Sequence, residues 1–252
     1  MSRGLTIVEP MPIAVAAANH GTGVEFIRTP DPKEVYLAPP ASGVALGIDL
    51  GAIRQIDTVF IGFTNASPGA TWDVQASSSL AGSALVSLTG ETALRLPGGA
   101  GPRYHGVARL GAPVETRYLR IVVSPDAGAP QLEIGAVVIG KRFEHSYEYK
   151  SGRRPIDLSE RVDLVGGGFG FGRGAIKSSF RFTFADLAKA EADRLWRIVT
   201  NVGNQHPLVL VEGGDGAIEH DQVHYGVFER FEAYERKDPI DTRWALSMQD
   251  WI

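Results

Sequence analysis

The chain has 252 residues, of which 44% are hydrophobic and 21% are charged. This composition is typical of a folded protein with a packed core and excludes a largely disordered chain. The net charge of −4 argues against nucleic acid as a partner, and the absence of cysteine excludes disulfides, thiol catalysis and thiolate metal sites.

Short apolar segments between turn residues begin the chain. Residues 5–8 predict a strand, and the run 11–18, MPIAVAAA, predicts either a second short strand or a removed signal peptide. No run approaches the ~20 apolar residues that a membrane-spanning helix needs, so membrane insertion is not expected. Up to Gly140, strand-like segments and turn residues alternate at roughly 8–12-residue intervals, as in a β-sandwich.

Five segments in order carry a family pattern. They read IDLG at 48–51, VFIGF at 59–63, WDVQAS at 72–77, YLRI at 118–121 and LEIGAV at 132–137. Together they resemble the discoidin, or coagulation factor 5/8 type C, family of galactose-binding-like β-sandwiches, over roughly residues 20–140. The resemblance implies a jelly-roll sandwich and carbohydrate binding at its rim loops. Secreted members often have a disulfide, and this chain, without cysteine, departs from them.

Two rim loops of the expected sandwich hold candidate sugar-binding residues. Thr64 and Asn65 follow one strand, and Arg103, Tyr104 and His105 lie on the second loop. An aromatic ring beside an amide and a guanidinium suits a pyranose, which offers an apolar face and hydroxyl groups. The alternative is that all five are ordinary loop residues without a ligand.

The composition changes after Gly140, which predicts two domains, 1–140 and 141–252. In the second, residues 176–184 alternate phenylalanines on one strand face, and residues 185–201 predict a helix with Leu195 and Trp196 on its buried face. The predicted fold class is therefore mainly β: an N-terminal galactose-binding-like jelly-roll sandwich followed by a C-terminal β-rich domain with one helix.

The strand, helix and strand of residues 180–211 also resemble the tail-tube and distal-tail modules of tailed bacteriophages in layout. That resemblance implies a structural component of a phage or phage-like tail tip, with the sandwich as an adhesion module for cell-surface glycan. The expected partners are other tail proteins and further copies of the chain in a ring. The expected location is the virion tail, assembled in the host cytoplasm.

Aromatic residues on two polar or glycine-rich segments predict subunit contacts. They are Phe143, Tyr147 and Tyr149 within residues 141–150, and Phe169 and Phe171 within the glycine-rich residues 166–174. Aromatic side chains are enriched at the centres of interfaces. We therefore expect the glycine-rich segment to extend from the monomer and dock on a neighbouring subunit.

No motif for chemistry stands out. The chain has no Gly-x-Ser-x-Gly elbow and no His-Glu-x-x-His, and its glycine-rich segment lacks the Lys-Ser/Thr ending of a phosphate loop. His220 and His224 lie four residues apart, a spacing that could hold a metal on a helix, but they lie between a turn and a strand, where residues four apart are far from each other along the backbone. We predict no catalytic residue, metal or cofactor. A stand-alone carbohydrate-binding protein, or an enzyme with a targeting sandwich, stays open as an alternative.

Overall fold

The computed structural model describes residues 4–40, 42–99, 101–126, 130–148, 151–213, 216–236 and 241–251. In these ranges the chain is mainly β, as predicted, with a single α-helix, α1 Lys189–Val202. The strands are, in chain order, β1 Gly4–Pro10, β2 Val15–Ala18, β3 Tyr36–Ala38, β4 Val44–Thr64, β5 Thr71–Ser77, β6 Val86–Ser87, β7 Thr92–Ala93, β8 Tyr104–Ser124, β9 Leu132–Ile134, β10 Ala136–Ser146, β11 Gly152–Asp157, β12 Glu160–Asp163, β13 Phe169–Gly172, β14 Ile176–Ala188, β15 Leu208–Glu212, β16 Val223–Phe231, β17 Glu235–Arg236 and β18 Asp241–Asp250.

The chain divides into two compact units. The first contains Thr6–Glu144 and Leu208–Val223, and the second contains His145–Pro207, His224–Ile252 and the N-terminal Met1–Leu5. That residues 1–140 and 141–252 form two independent domains stays a prediction. The structure differs from it in placing Leu208–Val223 with the first unit.

The long antiparallel pair β4 and β8 forms the framework of the first unit. Residues 51–55, in the middle of β4, are exposed. Leu46 and Ile48 before them, and Val59 and Ile61 after them, belong to one buried cluster. Because both halves of β4 face the same core, the strand pair bends at 51–55 and builds both layers of a sandwich. Its strand order is β15-β1-β10-β4-β8-β5-β6, with β2 beside β4 and β7 beside β5.

The IDLG segment forms the corner where β4 leaves the first layer. Gly51 has a φ of 76°, which favours glycine, and its N–H donates to Asp49 Oδ1 at 2.7 Å. Arg117 donates to both Asp49 oxygens, at 2.8 and 2.9 Å. The hydrogen bonds from Arg117, helped by the one from Gly51, hold the pKa of Asp49 below its ordinary value.

A sheet of order β11-β14-β18-β16, with β17 beside β18, forms the second unit together with α1. Phe180, Phe182 and Phe184 are buried on the inner face of β14, so the predicted alternation is confirmed. Ser179, Arg181 and Thr183 therefore lie on the outer face.

Helix α1 begins four residues later than predicted. Strand β14 continues through a bulge, and Leu187 pairs with Thr242 and is fully buried. The Glu191 carboxylate accepts the Ala188 N–H at 2.9 Å and so caps the helix start. The prediction that Trp196 is buried is wrong: its side chain is 49% exposed, whereas Leu195 is buried as predicted.

No helix in the described ranges is long and apolar enough to cross a membrane.

Candidate functional site

The structure brings the predicted sugar-binding residues together, but it does not present all of them to a ligand. Thr64 and Tyr104 are cross-strand neighbours at the ends of β4 and β8. Thr64 is fully buried, and its hydroxyl accepts the Ala66 N–H at 3.2 Å. Thr64 is therefore not available to a sugar, because its position at the strand end turns it inward.

Asn65 and Arg103 hold the rim loops in place. The Asn65 amide donates to the Gln131 carbonyl at 2.8 Å and accepts the Glu133 N–H at 2.9 Å. Arg103 forms an ion pair with Glu133. Both side chains already serve the loop around residues 131–133, and their role in sugar binding stays a prediction.

The two predicted aromatic residues of the rim also have intramolecular partners. The Arg95 guanidinium lies 3.2 Å from the centroid of the Tyr104 ring and covers one face of it. His105 is buried, stacks on His220 at a centroid distance of 4.7 Å, and accepts the Phe63 N–H at 3.3 Å. His105 is therefore largely inaccessible to a sugar in this structure, and Tyr104 has at most one free ring face.

The predicted subunit-contact residues separate into three groups. Phe143 is only 2% exposed, so its ring is not available to another subunit, contrary to the prediction. Tyr147 is partly exposed, and Tyr149 lies outside the described residues. Phe169 and Phe171 are 51% and 73% exposed on the hairpin of β12 and β13, so the glycine-rich segment is a hairpin arm and not a plain loop.

A different feature of the first unit has the character of a binding site. It is a pocket of about 170 Å³ on the outer face of the sandwich, lined by Ala17, Ala18, Asn19, Ala45, Gly47, Leu80, Ala81 and Arg120. Its floor is a row across three strands, in which Ala17 pairs with Gly47 and Gly47 pairs with Arg120. We call it the Arg120 pocket.

The serine-rich turn after β5 forms the wall of the Arg120 pocket. The Ser77 hydroxyl donates to the Ser79 and Ser83 carbonyls at 2.7 and 3.0 Å, which fixes the turn. A Cβ at Gly47 would lie 2.4 Å from the Leu80 carbonyl oxygen, and a Cβ at Gly82 would lie 2.3 Å from Arg120 Nη1. The turn can therefore rest on the sheet only because both positions are glycine.

Arg120 is the charged group of this pocket. Its guanidinium makes no side-chain hydrogen bond or ion pair with another described residue, and its Nε is buried without a partner. Gln75, which pairs with Arg120 across the sheet, likewise has a buried Oε1 without a partner. Buried polar groups normally find partners, because leaving one unpaired costs about 1–3 kcal/mol. The pocket thus presents an unused donor group beside an apolar floor of alanine and glycine.

Sequence reasoning missed the Arg120 pocket. Arg120 was read as part of the YLRI strand of the family pattern, where alternation places it on the outer face. Only the folding of the 78–83 turn over that face shows that Arg120 lines a pocket and not open surface. The nearest local signal is the serine-rich segment 77–83 itself, SSSLAGS, which predicts a turn but not its contact.

No protein-family model matches the sequence, and no curated protein matches it. The fold resembles solved carbohydrate-binding modules over about half the chain. A family 32 carbohydrate-binding module of NanJ from Clostridium perfringens, in complex with galactose, is 11% identical, with 55% of this chain and 99% of that chain covered and a TM-score of 0.42.

Chitosan-binding module 1 of a chitosanase/glucanase from Paenibacillus sp. IK-5 is 12% identical, with 52% of this chain and 97% of that chain covered and a TM-score of 0.41. The family 32 module of AlyQ, in complex with 4,5-unsaturated mannuronic acid, is 17% identical, with 50% and 94% covered and a TM-score of 0.38. These similarities describe the sandwich and do not identify a ligand of this chain.

Proposed function

We propose that the protein is a carbohydrate-binding protein without catalytic activity of its own, and that the Arg120 pocket binds the sugar. The observation that carries the proposal is the unpartnered Arg120 guanidinium beside an alanine and glycine floor. A sugar ring needs both surfaces, since its C–H groups pack on apolar atoms while its hydroxyls accept hydrogen bonds.

The size of the Arg120 pocket limits which sugars can bind there. At about 170 Å³ it is smaller than the ~300–1,000 Å³ of sites for drug-sized molecules. It suits a single ring at the end or on a branch of a glycan.

A glycan array probed with the full chain tests this function. We expect wild type to bind a small set of glycans and Arg120→Gln to bind them at least about tenfold more weakly, the usual effect of losing a hydrogen bond to a charged group. Arg54→Gln is the matched control, because Arg54 is exposed and its side chain makes no hydrogen bond or ion pair with another described residue. No wild-type signal, or equal signals from Arg120→Gln and wild type, would refute the proposal.

A second candidate function, as a structural subunit of an assembly, is favoured by the hairpin of β12 and β13. Val162, Leu164, Val165, Phe169 and Phe171 are all exposed there. Apolar side chains grouped on a projecting arm suit a protein contact. Placement of that assembly in a phage tail rests only on the resemblance in layout, and the proposed glycan binding does not depend on it.

A further inference from the structure

The outer face of the sheet in the second unit carries a group of arginines. A row runs across four strands: Gly152 of β11 pairs with Arg181 of β14, Arg181 with Ser247 of β18, and Ser247 with Arg230 of β16. Side chains paired in this way point to the same face. Gly152 and Ser247 are small, so the row leaves a depression beside the two guanidinium groups.

That depression has a volume of about 720 Å³. The described residues that line it are polar or glycine: Gly152, Arg153, Arg154, Ser179, Arg181, Glu229, Arg230, Glu232 and Ser247. We call these residues the arginine patch. Four arginines and two glutamates give it a positive excess, although the whole chain has a net charge of −4. A local excess of this sign attracts anions to this face.

The ion pairs of the arginine patch leave one guanidinium unused. Arg154 lies 3.7 Å from Glu229, and Arg181 donates to Glu232 at 3.1 Å. Arg230 makes no side-chain hydrogen bond or ion pair with a described residue. The paired arginines are themselves largely exposed, and exposed pairs contribute little, so both can turn to a ligand at small cost.

The side chains that line the arginine patch favour one class of anionic polymer over the others. Guanidinium groups bind carboxylates through paired hydrogen bonds, and the glutamates and serines between them can bond to hydroxyl groups. Phosphodiesters have no hydroxyl-rich face for Glu229 and Glu232, and among the described residues the lining has no aromatic ring on which a base could stack. An acidic peptide would find no apolar surface for its other side chains.

We propose that the arginine patch binds an acidic polysaccharide whose uronate carboxylates pair with Arg230 and Arg181 while its hydroxyls bond to Glu229, Glu232 and Ser179. This site lies in the second unit and is separate from the Arg120 pocket. The two proposed binding sites can therefore be tested independently.

Titration calorimetry of the full chain with sodium polygalacturonate, at about 0.15 M salt, tests the proposal. Wild type is expected to bind, and Arg230→Gln to bind at least about tenfold more weakly. Arg230→Gln removes no side-chain hydrogen bond or ion pair with a described residue, so we expect its melting temperature to match wild type. Arg197→Gln is the matched control, because Arg197 is exposed on α1 and likewise has no described side-chain partner.

Three comparisons decide whether the ligand and the site are assigned correctly. Neutral dextran should not bind, and poly-glutamate and single-stranded DNA should bind at least about tenfold more weakly than polygalacturonate. Arg120→Gln should bind polygalacturonate like wild type. The proposal would be overturned if wild type did not bind, or if Arg230→Gln and Arg197→Gln bound with equal affinity. It would also be overturned by equal affinity for poly-glutamate or DNA, or by loss of binding in Arg120→Gln.

Discussion

Replacing Gly47 by alanine tests whether the 78–83 turn rests on the sheet as described. The new Cβ would lie 2.4 Å from the Leu80 carbonyl oxygen. Ordinary contacts between such atoms are about 3.5 Å, so the turn would have to move by about 1 Å. That movement would deform the Arg120 pocket, because Leu80 forms part of its wall.

The size of the effect follows from the close contact. Overpacking of this kind costs about 1–3 kcal/mol, and each kcal/mol lowers the melting temperature of a domain of this size by about 2–4 °C. Gly47→Ala should therefore lower the melting temperature by roughly 2–12 °C. Gly111→Ala is the control, because nothing lies within 4 Å of a Cβ placed at Gly111.

Differential scanning fluorimetry of the two variants measures the stability change, and the glycan array measures the binding change. We expect Gly111→Ala to match wild type in both assays and Gly47→Ala to lose stability and glycan signal together. Equal melting temperatures and equal glycan signals for the two variants would show that the turn does not contact the sheet at Gly47.

Three further predictions concern stability and assembly. Leu195→Ala should cost about 2–5 kcal/mol because Leu195 is fully buried, and Trp196→Ala should cost less, by chemical denaturation; a larger cost at Trp196 would contradict the helix orientation. The depressed pKa of Asp49 means that its contribution to stability is complete above about pH 4 and is lost as pH falls through the folded pKa. Asp49→Asn should therefore reduce the fall in the free energy of unfolding that wild type shows as the pH is lowered into the acid range. An unchanged fall would refute this. Replacing Phe169 and Phe171 by serine should change stability by less than about 0.5 kcal/mol and abolish any self-association seen by light scattering; a larger loss of stability would mean that both rings are buried.

Local chemistry explains what the sequence predicted correctly. The IDLG corner depends on Asp49 and Gly51, two residues apart, and the phenylalanine alternation of β14 depends on the period of one strand. Such features need no knowledge of distant contacts. Such local patterns predict a mainly β fold, whereas the sandwich is expected from the family pattern of the five segments between residues 48 and 137.

Features set by distant contacts were not predictable. The sequence predicts Thr64 and His105 as rim residues, but Thr64 is buried at the end of β4 and His105 is buried against the ring of His220. Trp196 lies at the edge of the buried helix face, next to the fully buried Leu195, and its ring stacks on Trp244. The Arg120 pocket exists only because a turn about 40 positions earlier folds over the sheet.

A crystal structure of the full chain with the glycan that gives the strongest array signal would show where the sugar binds. We expect one sugar ring in the Arg120 pocket, with hydroxyl oxygens within hydrogen-bond distance of the Arg120 guanidinium and a C–H face on Ala17, Ala45 and Gly47. A sugar bound instead at the rim near Asn65, Arg103 and Tyr104, with the Arg120 pocket unchanged, would contradict this expectation.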